Sequence, residues 1–188
     1  MSHVTKLCCV LAVLLLAPAV AGAEDLVDNP AYVSWAKHKP GTTRDTEMTM
    51  NVAGQAMTVK MAQELISVDP DHVVVETNTN MAVPGVPAGK GDKRKLKIPA
   101  KVSPKQVDMP EGSTGTVKQV GEEEVELLGK RYACRVVEFS GESQGMKSTG
   151  KIWNSADMPG ATVKMDMTSE SPSGPAAMTM RVVAVNTK

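Results

Sequence analysis

Three pairs of methionines stand one residue apart in this chain: Met48 with Met50, Met165 with Met167, and Met178 with Met180. In an extended strand that spacing puts both thioethers on one face. Soft sulfur donors of this kind suit Cu(I), so an exported copper-binding protein is one reading of the pattern. A second is plain packing, because methionine is flexible and fills irregular gaps; period two then makes the spacing automatic for any strand with methionine in its core. A third is a Met- and Val-lined face that holds an apolar small molecule or lipid, since adaptable side chains tolerate varied shapes. The chain has 13 methionines against 2 tryptophans, 2 tyrosines and 1 phenylalanine, so methionine carries much of the large apolar volume in any of these readings. The six paired methionines are the candidate ligand-binding residues.

Other groups able to do chemistry are sparse. His38 and His72 have no partner at the close spacing typical of zinc ligands, and each reads as a solvated side chain. Cys134 sits in a strand-like run and reads as a buried thiol, the alternative being an intermolecular link; with His72 it would make a nucleophile and base only if the fold brought them together. Gly85–Gly91, GVPAGKG, has the wrong spacing for a phosphate-binding loop and lacks the hydroxyl residue after its lysine. The basic run from Lys90 to Lys105 and the acidic Glu122, Glu123, Glu124 and Glu126 read as solvated surface. With no nucleophile, metal or dinucleotide motif, the expectation is a non-enzymatic protein with no catalytic residue, no metal-ligand set and no cofactor.

Residues 1–23 carry Lys6, an apolar run from Leu7 to Ala17, and Ala21-Gly22-Ala23 before Glu24-Asp25. This is the pattern of a secretory signal peptide cleaved after Ala23, and it points to the periplasm or the extracellular space. The run is shorter than the roughly 20 residues that span a bilayer, and no second candidate follows, so no transmembrane segment is expected. Residues 24–188 then form a single antiparallel β domain. Cys8 and Cys9 leave with the leader, so Cys134 has no partner for an internal disulfide. Lys6 is the leader's one basic residue and the leader has no acidic one, which leaves 20 basic against 21 acidic groups and no bulk charge for nucleic acid.

The elements that must position the methionines follow from periodicity. Asn29-Pro30 starts a short helix with Tyr32, Trp35 and Ala36 on one side, and Pro40-Gly41 stops it. After Gly41 the period becomes two. Met48, Met50 and Val52 turn at Ala53-Gly54 into Met57, Val59 and Met61, a hairpin, and Asp69-Pro70-Asp71 leads to a strand over 72–81. Lys93, Arg94, Lys95 and Lys97 mark a solvated or edge strand. A Gly/Pro-rich connection over 99–121 precedes Val125 and Leu127, then strands over 131–140, 146–154, 161–169 and 177–187, nine in all. One short helix cannot cover so large an apolar face, which predicts a mainly β fold: a curled antiparallel sheet, half-barrel or open barrel, with one short N-terminal helix.

The string Trp153-Asn-Ser-Ala-Asp-Met-Pro159-Gly160 reads as a strand end and a tight turn before a new strand from Ala161. With Gly129-Lys-Arg-Tyr-Ala-Cys134 before it, it resembles a pattern in exported bacterial proteins that look similar to the half-barrel superfamily that includes periplasmic lipoprotein carriers. The resemblance covers residues 121–170 and implies a curled sheet; no ligand residue of those carriers maps onto a position here. Carriers have aromatic-rich cavities and several lid helices, and this chain has few of either. The function expected is apolar-ligand or lipid binding on a Met/Val-lined concave sheet face, the alternatives being a copper-binding protein and a structural or interaction module of the cell envelope.

Overall fold

The computed structural model describes residues 25–52, 55–82, 91–104, 107, 114–143, 146–171 and 174–188. The leader, including the expected cleavage site, lies outside these, as does all of Gly85–Gly91 except Gly91. In chain order the elements are β1 (Val27–Asp28), α1 (Pro30–Ala36), β2 (Thr43–Val52), β3 (Gln55–Val68), β4 (His72–Ala82), β5 (Asp92–Pro99), β6 (Lys101–Val102), β7 (Thr114–Leu127), β8 (Lys130–Ser143), β9 (Met146–Asn154), β10 (Thr162–Ser171) and β11 (Gly174–Asn186). None of the described helices is long and apolar enough to cross a membrane.

Nine strands form one antiparallel sheet in the order β5-β4-β3-β2-β11-β10-β9-β8-β7, which curls without closing into a barrel. β1 and β6 make a separate two-stranded pair. The large sheet is two meanders, β2 to β5 and β7 to β11, joined where the first strand of one pairs with the last strand of the other. Its edges carry opposite charges: Lys93, Arg94, Lys95 and Lys97 on β5, and Glu122, Glu123, Glu124 and Glu126 on β7. Rows of like charge discourage two copies of the same edge from pairing.

One end of the sheet is covered. Asn29 caps α1 by accepting from the Ala31 amide at 3.0 Å, and Pro30 sits in the first turn where no amide is needed. The helix then packs Trp35, with Tyr32 and Ala36, against Leu65, Val73 and Val75. It ends at Ala36, before the Lys37-His38-Lys39 run that would otherwise have formed its last turn. Beside it the Ser155–Ala161 segment, expected as a tight turn, is a folded-back cap. Its backbone bonds itself at Ser155 N to Ala161 O (2.8 Å) and Ala161 N to Met158 O (2.8 Å). Gly160 and Ala161 take the left-handed conformation (φ 77° and 64°), which lets the segment fold back tightly. The fold-back drives Met158, fully buried, into a cluster with Cys134, Val136, Trp153, Val163 and Val182.

Strand registers shift at Leu65/Ser67, Gln119/Gly121, Thr162/Lys164 and Val182/Ala184. Leu65, Val163 and Val182 belong to the covered clusters, so three of these irregularities lie where the sheet runs under its cap. An extra residue sharpens local twist. On β8, which carries no extra residue, the buried positions step from Cys134 and Val136 on one face to Val137 and Phe139 on the other. β7 starts at Thr114, so much of the connection expected over 99–121 is strand. Gly115 explains the misreading: a Cβ there would collide with the Ser140 carbonyl, so this glycine permits close strand approach and does not mark a loop.

Candidate functional site

Strand pairing assembles the six paired methionines into one block. β10 against β11 sets Met165 opposite Met180 and Met167 opposite Met178. β11 against β2 sets Met180 opposite Met48 and Met178 opposite Met50. The result is three adjacent strands with two ranks of thioethers, all on one face, with no other residue type inside the block. The block is framed by Ile152 and Gly150 of β9 on one side and by Val59 and Met57 of β3 on the other. Met81 of β4 extends the first rank beyond Val59.

None of the six is fully buried and none is fully exposed. The covered core is built differently. Among the described residues fourteen hydrophobic side chains are buried, and Met158 is the one methionine among them; valine dominates. The two ranks run on into buried apolar side chains, Val59 opposite Met48 on one side and Val137 and Phe139 beyond Ile152 and Gly150 on the other.

On the same face, nearer the cap, lies a polar rank. Arg44 pairs with Gln63, and Gln63 with Thr77. Arg44 is only 5 % exposed and donates through Nη1 to the Pro159 carbonyl at 2.8 Å, tying the sheet to the Ser155–Ala161 cap. Its Nε is buried without a partner, as is the Thr77 hydroxyl. Removal from water pulls the guanidinium down to about 10. Lys37 makes a second tie to the same segment, donating to the Ala156 carbonyl at 2.9 Å.

The remaining candidates do not converge. Cys134 lies on β8 and His72 on β4, in opposite meanders, so they form no nucleophile and base. The Cys134 thiol is buried, and desolvation, helped by the Glu123 carboxylate, pushes its pKa up. His72 departs from the solvated expectation: its side chain is 18 % exposed and held between Asp71 (2.7 Å) and Asp69 (3.4 Å). His38 is partly covered as well, and desolvation lowers its pKa. Trp153 donates to Glu123 at 2.7 Å, and the Lys164 ammonium lies 3.7 Å from its ring centroid, which ties three strands together near the cap. Among the described residues no group of three His, Cys, Asp or Glu side chains could hold a metal ion.

A shallow groove of about 630 Å³ crosses β7 to β11 and takes in Met167 and Met178 of the block. Alternating residues pair across it, with Thr116, Ser140, Thr149 and Thr168 in one rank and Lys118, Glu138, Lys151 and Asp166 in the next. The side chains bond one another, Thr149 to Thr168 at 3.1 Å and Lys151 to Glu138 at 3.0 Å, as on a solvated sheet face.

No family model matches the chain, and no curated protein matches it significantly. Solved structures with a similar strand arrangement include a candidate lipoprotein from Parabacteroides distasonis (TM-score 0.48, 9% identity, 79% of this chain and 96% of that one). A candidate exported protein with a YmcC-like fold from Bacteroides fragilis gives a TM-score of 0.44 at 9% identity, over 78% of this chain and 97% of that one. A candidate outer membrane lipoprotein-sorting protein domain from Vibrio parahaemolyticus gives 0.30 at 13% identity, over 85% and 91%. These are likenesses of outline, and they assign no residue here a role.

Proposed function

We propose that this chain is an exported, non-enzymatic binding protein that holds an apolar small molecule or lipid against the methionine face of its sheet, after removal of residues 1–23. The observation that carries this reading is the uninterrupted block of six half-buried methionines on a sheet that does not close. Each ~100 Å² of such a face covered by a ligand gains about 2.5 kcal/mol before ordering costs. Unbranched thioether side chains adjust to varied ligand shapes at little cost.

Native mass spectrometry of the protein taken gently from its host's envelope or secreted fraction tests this. The expected spectrum shows heterogeneous adducts of lipid mass that delipidation removes and that a Met50→Glu/Met180→Glu double variant lacks. A bare chain under conditions that retain weak ligands, or adducts unchanged in the double variant, would overturn it.

A further inference from the structure

We propose that the methionine block is also a Cu(I) site, in which thioether sulfurs from β10, β11 and β2 converge on the ion. This goes beyond apolar binding, because it uses the sulfur lone pairs and not the apolar surface. Three observations carry it. First, the register sets Met165, Met180 and Met48 side by side, and likewise Met167, Met178 and Met50. Directly opposed residues have Cβ atoms about 4.5–5.5 Å apart, and rotation about the Cα–Cβ and Cβ–Cγ bonds of each unbranched side chain aims its sulfur. A rank can thus bring three sulfurs to one point above its central methionine.

Second, Met158 is the one methionine among the buried hydrophobic residues described, where valine predominates, whereas six stand together in this partly covered block. Leucine would serve burial as well; beyond adaptability, what methionine adds is a soft donor. Third, the donors are unmixed. The immediate neighbours in the two ranks are Ile152, Gly150, Val59 and Met57, with no carboxylate or imidazole. Thioether-only coordination selects a soft monovalent ion such as Cu(I) over hard or borderline divalent ones. Half-exposure gives the ion a way in without unfolding, and a thioether has no proton to lose. Affinity should therefore be flat across the pH range in which histidine titrates, unlike that of a His or Cys site.

The test is anaerobic titration of the purified exported protein with Cu(I) against a chromogenic chelator. The expected result is a defined stoichiometry of no more than one ion per rank, unaffected by Cys134→Ser. Met178→Leu/Met180→Leu removes the central sulfur of both ranks while keeping volume and apolarity. It should weaken Cu(I) binding by about a hundredfold or more with the circular dichroism spectrum unchanged. Chelator that retains all the Cu(I), equal binding by the double leucine variant, or loss of binding in Cys134→Ser would each overturn the proposal. The leucine variant also separates the two readings: apolar adducts should survive in it. Loss of Cu(I) binding with retained adducts therefore supports this inference, whereas absent Cu(I) binding by the parent protein with intact adducts sinks it alone.

Discussion

β2, β10 and β11 each run from a covered end to an open one on the same sheet face. On β2, Arg44 and Thr46 are buried while Met48 and Met50 are half-covered; on β11, Val182 is buried and Met180 and Met178 are not. Val163 and the pair Met165 and Met167 divide β10 in the same way. Strand geometry is common to both ends, so what differs is the cover. α1 and the Ser155–Ala161 segment lie over one end, whereas the six methionines of the other keep part of their surface. Residue choice on these three strands follows that division, with Val163 and Val182 under the cap and unbranched thioethers outside it, while Val59, Val137 and Phe139 are buried on the neighbouring strands of the methionine ranks. Shape is fixed where neighbours are permanent and adaptable where they are not.

The contrast can be broken by mutation at either end. Trp35→Ala should cost about 3–5 kcal/mol in chemical denaturation, as a buried aromatic does, whereas Met180→Ala should cost about 1–2 kcal/mol because less of its surface was covered. Equal losses would mean that the two ends are packed alike. Arg44→Met leaves the Pro159 carbonyl without its charged donor, a bond worth about 1.5–3 kcal/mol. Amide exchange at Ser155 and Ala161 should then accelerate by about tenfold or more, with rates in the methionine block unchanged.

Dilute hydrogen peroxide sharpens the comparison within one residue type. Peptide mapping should show Met48, Met50, Met165, Met167, Met178 and Met180 converted to sulfoxide well before Met158, which waits on opening of the cap. The smallest effect expected is on pH dependence. Burial, followed by Lys37, holds the His38 imidazole below its ordinary value of 6.5. A folded-state pKa below the unfolded one makes this contribution complete above that value and progressively lost as pH falls through it toward the folded pKa. His38→Gln should therefore flatten the mildly acidic limb of a melting-temperature profile, and an unchanged limb would remove His38 from the account.

Much of the architecture was legible because its signals are local. Asn29-Pro30 announced α1, period-two alternation announced the strands, and the charges from Lys93 to Lys97 announced the edge. What failed were places where a local signal has two meanings. Gly115 and Gly121 read as loop residues, yet one allows close strand approach and the other lies at a register shift. Pro159-Gly160 read as a simple turn, and the apolar Met158 beside it was the clue to a cap. Asp69 and Asp71 both stand just before His72 in the sequence, yet nothing there signals burial of the imidazole. The adjacency of the three methionine pairs had no local signal, since it depends on which strands become neighbours.

That adjacency sets an order of assembly. Every other pairing in the large sheet joins strands consecutive in sequence, so hairpins within each meander close short loops. The β2–β11 pairing sets Met50 opposite Met178, a loop of about 130 residues whose closure entropy must be met before any contact rewards it. The seam is therefore expected to close after the hairpins of each meander. The methionine block comes into being only when β11 docks between β10 and β2, and the same event brings Val182 into the covered core.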